Sequence, residues 1–201
     1  ENKYGKVPKK IREVIEEIDE SSDRLVELAN SFLNINKIEE GEIIYNFSKQ
    51  NINMIVHSVI EELESLAEQK SIRIKFTPQT FAESVLIDEE KIRHVIFNYI
   101  DNAIKYSDRG EIRVVLTKHN EGLQLQVIDT GYGFGPDDEA AFFNKFYRGQ
   151  NIAGKNVNGT GLGLYVCKRF IEAHGGKVWA KSEGADQGSE FGFWIPLNGR
   201  N

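Results

Sequence analysis

The most constraining stretch of the chain is residues 94–107, which combines an apolar stripe with polar residues at helical spacing. Asn98, Asn102 and Lys105 follow one another at spacings of four and three, so their polar groups can converge on one side of a helix. Two carboxamide oxygens and an ammonium group near one point suit a metal-bound phosphate. Taken alone, the two asparagines are more simply explained as a solvated helix surface. Asparagine is a poor helix former, however, so two asparagines one turn apart in a helix reduce its stability and suggest a functional role. The apolar positions of the same helix, which would pack on a sheet, are Ile92, Val95, Ile96, Tyr99, Ala103 and Ile104.

Length and composition indicate a globular chain with one sizeable domain and an appendage. Of its 201 residues, 40% are apolar and 28% are charged, which is ordinary for a soluble protein. The net charge of −6 disfavours nucleic-acid binding, since there is no basic surplus to neutralise a phosphate backbone. A single cysteine, Cys167, excludes a disulfide within the chain and favours a reducing, cytoplasmic location. The chain has no apolar run of membrane-spanning length. It begins at Glu1 without a methionine, so we expect a piece of a longer protein, one that could itself be membrane-anchored.

The first 40 residues predict one long helix. From Pro8 to about Ile38 there is no glycine and no further proline, and apolar residues recur at spacings of four and three. A helix of about 30 residues would be ~45 Å long, and so narrow an apolar stripe requires partner helices. We therefore place a helical segment at 1–40 and a second domain at 41–201.

The second domain alternates strand and helix patterns, which predicts an α+β fold with a mixed sheet. Asp88 is a plausible N-cap for the asparagine-bearing helix. A polar stretch rich in glycine and asparagine, 147–159, is too irregular for a helix or a strand, and loops of that length are often functional. Strands are predicted at 43–47, 72–77, 85–87, 111–118, 123–129, 177–182 and 189–196. Further helices are predicted at 53–69 and 161–174, with partial helix at 136–146.

Three more segments can carry chemistry, although each is ambiguous alone. Residues 129–135 end a strand with an acid followed by three alternating glycines, which let the backbone come close to a ligand. Residues 159–164 place glycine-flanked amides at the start of a helix, where anions bind. Between them, 142–148 combines aromatic residues with a lysine and an arginine; a small hydrophobic anchor with two solvated cations is the simpler explanation there.

The order of these segments resembles the catalytic domain of sensor histidine kinases. Two asparagines four apart on a helix, an Asp-x-Gly-x-Gly segment, an aromatic and basic segment and a Gly-x-Gly-x-Gly segment follow one another as in that family. The family belongs to the Bergerat-fold ATPases, together with gyrase, the MutL repair protein and heat-shock chaperone ATPases. The resemblance covers essentially the whole chain. It implies a two-layer sandwich with three helices on one face of a mixed sheet, preceded by one long helix, and ATP and Mg²⁺ as ligands.

The resemblance assigns phosphate and metal chemistry to the asparagine helix. Asn102, together with Asn98, would hold the Mg²⁺ that bridges the phosphates of ATP. Lys105 and Tyr106 would lie near phosphate and nucleoside. Asp129 would accept a hydrogen bond from the adenine amino group.

The glycine and aromatic segments complete the implied site. Gly131 and Gly133 would shape the adenine pocket, and Phe143, Phe146 and Arg148 match the family's aromatic box, with Arg148 contacting phosphate or the acceptor helix. The second glycine segment would cradle the phosphates and anchor a lid formed by 147–159. The members of that segment are Thr160, Gly161, Leu162 and Gly163. Two positions depart from the family pattern, which more often has Gln and Leu where this chain has His94 and Tyr99.

None of the histidines in this sequence matches the phosphate acceptor that the resemblance would require. In the family, ATP phosphorylates a histidine on the first helix of a two-helix hairpin, and the predicted N-terminal helix resembles the second. Of the four histidines, His57 is followed by Ser58 rather than an acid, and His174 is expected only to cap a helix end; His94 and His119 lie in the asparagine helix and in a hairpin loop. We therefore expect a fragment of a homodimeric histidine kinase that binds ATP, does not phosphorylate itself and serves a response regulator receiver domain. Two alternatives stay open: a nucleotide-binding regulatory module without catalysis, and a serine kinase of the anti-sigma type.

Overall fold

The structure is a computed structural model that describes residues 8–78, 84–139, 141–149 and 159–198. The chain divides into two compact units, Glu1–Ile43 and Ile44–Asn201. None of the described helices is both long and apolar enough to cross a membrane. Assignment of the first unit to a dimerisation hairpin stays a prediction.

In the described part of the first unit, residues 8–43, there is one helix, α1 (Lys9–Glu39), as the sequence predicts. It begins directly after Pro8 and ends where the backbone N–H of Glu40 donates to the Asn36 carbonyl and that of Gly41 donates to the Ile38 carbonyl. Most of its described apolar side chains are exposed, including Leu25 at 67%. The helix therefore offers an apolar stripe over much of its length.

The second unit alternates strands and helices. The strands are β1 (Phe47–Gln50), β2 (Ile72–Thr77), β3 (Val85–Asp88), β4 (Gly110–His119), β5 (Gly122–Asp129), β6 (Lys177–Lys181) and β7 (Ser189–Pro196). The helices are α2 (Ile52–Gln69), α3 (Glu89–Lys105), α4 (Pro136–Glu139) and α5 (Gly163–Ala173).

Five strands form a mixed sheet in the order β2-β4-β5-β7-β6. β2 pairs parallel to β4, and the remaining pairs are antiparallel. Alternate residues along these strands point to one face, as in Ile112, Val114 and Leu116 of β4, each fully buried. The apolar faces of α2, α3 and α5 cover that side of the sheet. The predicted fold class, an α+β sandwich preceded by a long helix, is confirmed.

Three predicted boundaries are wrong. The strand predicted at 43–47 forms only from Phe47 onwards, because β1 pairs with β3 as a separate two-stranded sheet whose register begins at Phe47 opposite Asp88. The helix predicted from residue 161 begins at Gly163, since Gly161 has a φ of +70° and cannot join a right-handed helix. The partial helix predicted at 136–146 is helical only in α4 and continues as turns. Most of the predicted lid, 150–158, lies outside the described residues.

Candidate ATP site

The asparagine pair is presented by α3. Asp88 caps the helix by accepting a hydrogen bond from the Lys91 backbone N–H at 3.1 Å. Acidic residues in the first turn and Lys105 in the last complement the helix dipole. One turn apart in this helix, Asn102 Nδ2 donates to Asn98 Oδ1 at 3.1 Å. The predicted convergence of the two carboxamides is therefore present in the structure.

Gly163 brings the first turn of α5 against that pair. A Cβ added to Gly163 would lie 2.4 Å from Asn98 Nδ2 and 3.3 Å from its Cγ. Only glycine allows this approach without displacing the asparagine side chain. Because Gly163 is also the first residue of α5, backbone amides at the positive end of a helix lie beside the carboxamides.

Lys105 is held by a residue that the sequence analysis did not select. Its Nζ lies 2.6 Å from Asp101 Oδ2, one turn earlier in α3, and Asp101 is buried. The ion pair holds the lysine head beside Asp101 and offsets part of its charge. The i,i+4 spacing of the two residues was the available signal in the sequence.

Asp129 ends β5 as a buried carboxylate, 5% exposed. Its Oδ1 accepts hydrogen bonds from the backbone N–H groups of Gly131 at 2.8 Å and Ser189 at 3.2 Å, and its Oδ2 accepts from the Ser189 hydroxyl. Burial raises the pKa of Asp129, and these hydrogen bonds oppose the increase. Ser189 was missed because only the pairing of β5 with β7 brings it opposite Asp129.

The glycines after Asp129 permit close backbone packing, as predicted. A Cβ on Gly131 would lie 2.2 Å from the Tyr106 carbonyl oxygen, and the neighbouring Tyr132 N–H donates to that same oxygen at 3.0 Å. Gly133 has a φ of +58°, and a Cβ there would lie 2.1 Å from the Gly184 carbonyl oxygen. The segment after β5 is thereby fixed against the end of α3.

Two buried hydroxyls near these elements were not selected from the sequence. The Ser107 Oγ is buried and has no hydrogen-bond partner in the described part of the chain. A Cβ on Gly131 would come within 2.6 Å of it, so it faces the segment that follows Asp129. The Tyr99 hydroxyl, in the middle of α3, is likewise buried without a partner among the described residues.

The three phenylalanines of the aromatic segment differ in burial: Phe143 is buried, Phe142 is half-buried and Phe146 is exposed. Phe143 belongs to a small hydrophobic cluster with Phe134 and Ala180, whereas Phe146 is 67% exposed and has a φ of +63°. A Cβ on Gly161 would lie 2.7 Å from the Phe146 carbonyl carbon. The second glycine segment therefore packs on the backbone of the aromatic segment. The interpretation as a hydrophobic anchor holds for Phe143 and for Phe142, which packs against the same cluster, but not for Phe146.

The start of α5 is locally stabilised by its own sequence. The Thr160 Oγ1 accepts a hydrogen bond from the Leu162 backbone N–H at 3.2 Å, and Leu162 is buried. Gly159 lies near Tyr106, since a Cβ there would be 3.6 Å from the tyrosine hydroxyl. Arg148, in the last described residues before the predicted lid, is exposed. The structure thus brings α3, the end of β5 and both ends of 147–159 together in one unit.

The side-chain oxygens of the asparagine pair suit a metal ion that is bound partly by the protein and partly by the phosphates of a nucleotide. The described residues contain no group of three His, Cys, Asp or Glu side chains placed to bind a metal ion. Carboxamide oxygens are hard ligands, and Mg²⁺ is commonly bound by one or two protein oxygens together with substrate phosphates and water. Asn102 Oδ1 makes no hydrogen bond to another described residue, because only the Nδ2 of that carboxamide is engaged. The asparagine pair therefore fits Mg²⁺.

Comparison with known proteins identifies the family. The sequence profile of the histidine kinase-, DNA gyrase B- and HSP90-like ATPases matches residues 87–199, which include α3, Asp129 and the second glycine segment. The chain belongs to this family. It is an ATP-binding domain with the fold of histidine kinase catalytic domains, as the resemblance implied.

Individual relatives agree with this assignment. The circadian input-output histidine kinase CikA of Synechococcus elongatus is 28% identical over 196 residues, 96% of this chain and 26% of CikA. The sensor histidine kinase GacS of Pseudomonas protegens is 30% identical over 187 residues, 90% of this chain and 20% of GacS. Full-length ShkA, solved in complex with AMPPNP, matches with a TM-score of 0.82 and 26% identity over 99% of this chain and 41% of ShkA. The chain therefore spans only about a quarter of the length of CikA and a fifth of that of GacS.

His174 has a structural role in the ATPase unit. Its Nε2 accepts a hydrogen bond from the Asp88 backbone N–H at 3.0 Å, and its Nδ1 donates to the Phe170 carbonyl at 2.7 Å. The ring is buried, and burial lowers its pKa. The prediction that His174 caps a helix end is confirmed, and the ring in addition ties α5 to the start of α3.

Proposed function

We propose that this ATPase domain is the phosphate donor of a sensor histidine kinase, which transfers the γ-phosphate of ATP to a histidine on a helix outside this chain. The observation that carries the proposal is the contact of Gly163 with Asn98. This contact supports a phosphate site in which helix-terminal amides, the two carboxamides and the Lys105 ammonium group of the same helix α3 would act together. The relatives named above are histidine kinases, which supports a kinase over a nucleotide-binding module without catalysis.

The adenine would bind at the end of β5. Asp129 Oδ2 accepts one hydrogen bond from Ser189 and keeps a further lone pair for the exocyclic amino group. Gly131 and Gly133 keep the surrounding backbone close, and Tyr106 lines the neighbouring end of α3. Because Asp129 is buried, a base that cannot donate a hydrogen bond to its carboxylate would leave a buried polar group unpaired, which costs free energy. A single hydrogen bond at this position can therefore distinguish adenine from other bases.

The phosphates would lie between α3 and the start of α5. Asn102, with Asn98, would hold Mg²⁺, which when bound neutralises phosphate charge and orients the γ-phosphate. Lys105 and the amides of the Gly161–Gly163 turn would contact phosphate oxygens, and Arg148 would approach from the lid. Phosphoryl transfer depends mainly on such positioning and charge neutralisation, so no covalent intermediate with this chain is required.

The transfer itself requires an outside acceptor. An imidazole nitrogen attacks the γ-phosphorus, the bond from that phosphorus to the bridging oxygen breaks, and ADP leaves with the electron pair. None of the chain's histidines precedes an acid that could act as base, and His174 is buried in the core. We therefore propose that this chain does not phosphorylate itself, that α1 is the second helix of a dimerisation hairpin, and that a response regulator receives the phosphoryl group.

A transfer assay in trans tests this function. The chain is mixed with γ-labelled Mg-ATP and a purified histidine kinase hairpin that lacks its own catalytic domain. We expect weak labelling of the hairpin that is acid-labile and alkali-stable, and no label on this chain. Asn102→Ala should abolish transfer while the circular dichroism spectrum is kept. Label on this chain, acid-stable label, or undiminished transfer by Asn102→Ala would contradict the proposal.

A further inference from the structure

A second surface lies on the opposite face of the five-stranded sheet from the helices. A groove of about 480 Å³ there is lined by side chains of β4 to β7 and contains both tryptophans of the chain, Trp179 and Trp194. We propose that this groove, called the tryptophan groove below, binds an extended acidic segment of a partner protein.

The two indoles lie on the sheet instead of projecting from it. A Cβ on Gly122 would lie 2.2 Å from the Trp194 ring, and a Cβ on Gly192 would lie 2.3 Å from the Trp179 ring. The Trp194 indole N–H donates to the His119 carbonyl at 3.1 Å. Glycine therefore leaves room for each ring on a neighbouring strand, and the outer ring faces offer an apolar platform.

The charge of this face differs in sign from that of the chain. Although the chain has a net charge of −6, the outward positions of the sheet carry five cationic residues and two acids. The acids are already engaged: Glu111 pairs with Lys75 at 2.6 Å, and Glu190 accepts hydrogen bonds from Trp179 at 2.6 Å and Gln126 at 2.9 Å. The cationic residues are Arg73, Lys75, Arg113, Lys177 and Lys181.

The two lysines beside the indoles are available for a partner. Lys177 and Lys181 are exposed, and neither forms an ion pair within the part of the chain that the structure describes. They lie on the same side of β6, four residues apart, which is roughly 13 Å at 3.3 Å per residue. An extended segment can match that spacing with two carboxylates and place apolar side chains on the indoles between them. A helical segment would bring carboxylates four residues apart too close together.

Short-range complementarity favours a protein segment over larger polyanions. At physiological ionic strength charges interact over about 8 Å, so a short acidic segment is attracted by the local lysines. A nucleic acid or an anionic membrane would extend past the groove and meet the surplus negative charge of the rest of the domain. The chemistry of the surface therefore points to a carboxylate-rich peptide.

Intrinsic fluorescence gives a direct test, because both tryptophans lie in the tryptophan groove and the proposed ATP site contains none. The chain is titrated with a soluble synthetic peptide of Glu-Pro-Glu-Phe repeats, which has no tryptophan. We expect a saturable change in emission that weakens with added salt. The same peptide with glutamine in place of glutamate should bind at least roughly fivefold more weakly, as expected for the loss of partly screened ion pairs. Prior saturation with Mg-ATP should leave the titration unchanged.

Substitutions of single lysines, with a matched control elsewhere in the domain, test which charges bind the peptide. Lys177→Gln and Lys181→Gln should each weaken peptide binding roughly two- to fivefold, the range for exposed ion pairs. Lys49→Gln, an exposed lysine in the separate sheet of β1, should not weaken it. Equal binding of the glutamate and glutamine peptides, or equal effects of the three variants, would overturn the proposal. Tighter binding of single-stranded oligothymidylate or of phosphatidylserine vesicles would also overturn it. If no probe changes the fluorescence, the proposal is likewise overturned, and the indoles serve only to pack over the strand glycines.

Discussion

The contact of α5 with α3 makes Gly163→Ala the most informative single substitution in the proposed ATP site. The added Cβ would lie 2.4 Å from Asn98 Nδ2, well inside the separation that carbon and nitrogen atoms can adopt. This clash can be relieved, because Nδ2 lies at the end of the Asn98 side chain and can move when that side chain rotates. Asn98 is expected to rotate away, and the hydrogen bond that its Oδ1 accepts from Asn102 is then lost.

Folding stability and nucleotide affinity should respond differently to this change. Loss of one hydrogen bond costs about 1 kcal/mol, while alanine gains up to about 1 kcal/mol over glycine in a helix. The melting temperature should therefore change little. Displacement of one of the two carboxamides from the proposed metal site should weaken Mg-dependent binding of AMPPNP by about 1–2 kcal/mol, or roughly 5–30-fold.

Calorimetric titration and thermal unfolding measure the two effects separately. Gly135→Ala is the matched control, since a Cβ there would meet nothing within 4 Å and the residue has no positive φ. In an Asn98→Ala background, Gly163→Ala should cause no further loss of affinity, because its effect passes through the asparagine. Additive losses in the double variant, or wild-type affinity in Gly163→Ala, would refute the reasoning.

Three further predictions concern buried polar groups. Tyr99→Phe removes a buried hydroxyl without a described partner, so the free energy of unfolding in urea should stay equal or rise by up to about 1 kcal/mol; a loss above that size would reveal a partner. Asp129→Asn exchanges one acceptor oxygen for a donor, and calorimetry should show ATP binding weakened roughly tenfold or more, whereas unchanged affinity would remove Asp129 from the adenine site. Burial lowers the pKa of His174, so the folded state resists protonation and stability present above about pH 6.5 is lost as the pH falls below it. Melting temperatures between pH 7.5 and 5 should decline more steeply for the wild type than for His174→Gln, and parallel curves would contradict that role.

Local patterns predicted the parts of the fold that depend on neighbouring residues. The helix with Asn98 and Asn102 follows from its apolar period and the Asp88 cap, and strand β2 was predicted with its observed bounds. Residues 43–46 were wrongly included in a strand, because their apolar character does not show that the ladder with β3 begins only at Phe47.

Contacts between distant elements could not be read from the sequence. Ser189 reaches Asp129 only through the β5–β7 register, 60 positions along the chain. Likewise, the need for glycine at position 163 is explained by Asn98, which lies on another helix. The order of the motifs predicted the family and proposed the residues of an ATP site, whereas the reason for each glycine could be given only from the packing of the folded chain.

The most direct test of the account is ATP binding with and without Mg²⁺, measured by calorimetry on the wild type and on Asn102→Ala. If Asn102 holds the metal that bridges the phosphates, Mg²⁺ should tighten binding to the wild type, and Asn102→Ala should keep the metal-free affinity but lose most of that gain. An Asn102→Ala protein that responds to Mg²⁺ as the wild type does would contradict the central claim that this helix organises the phosphate end of the ATP site.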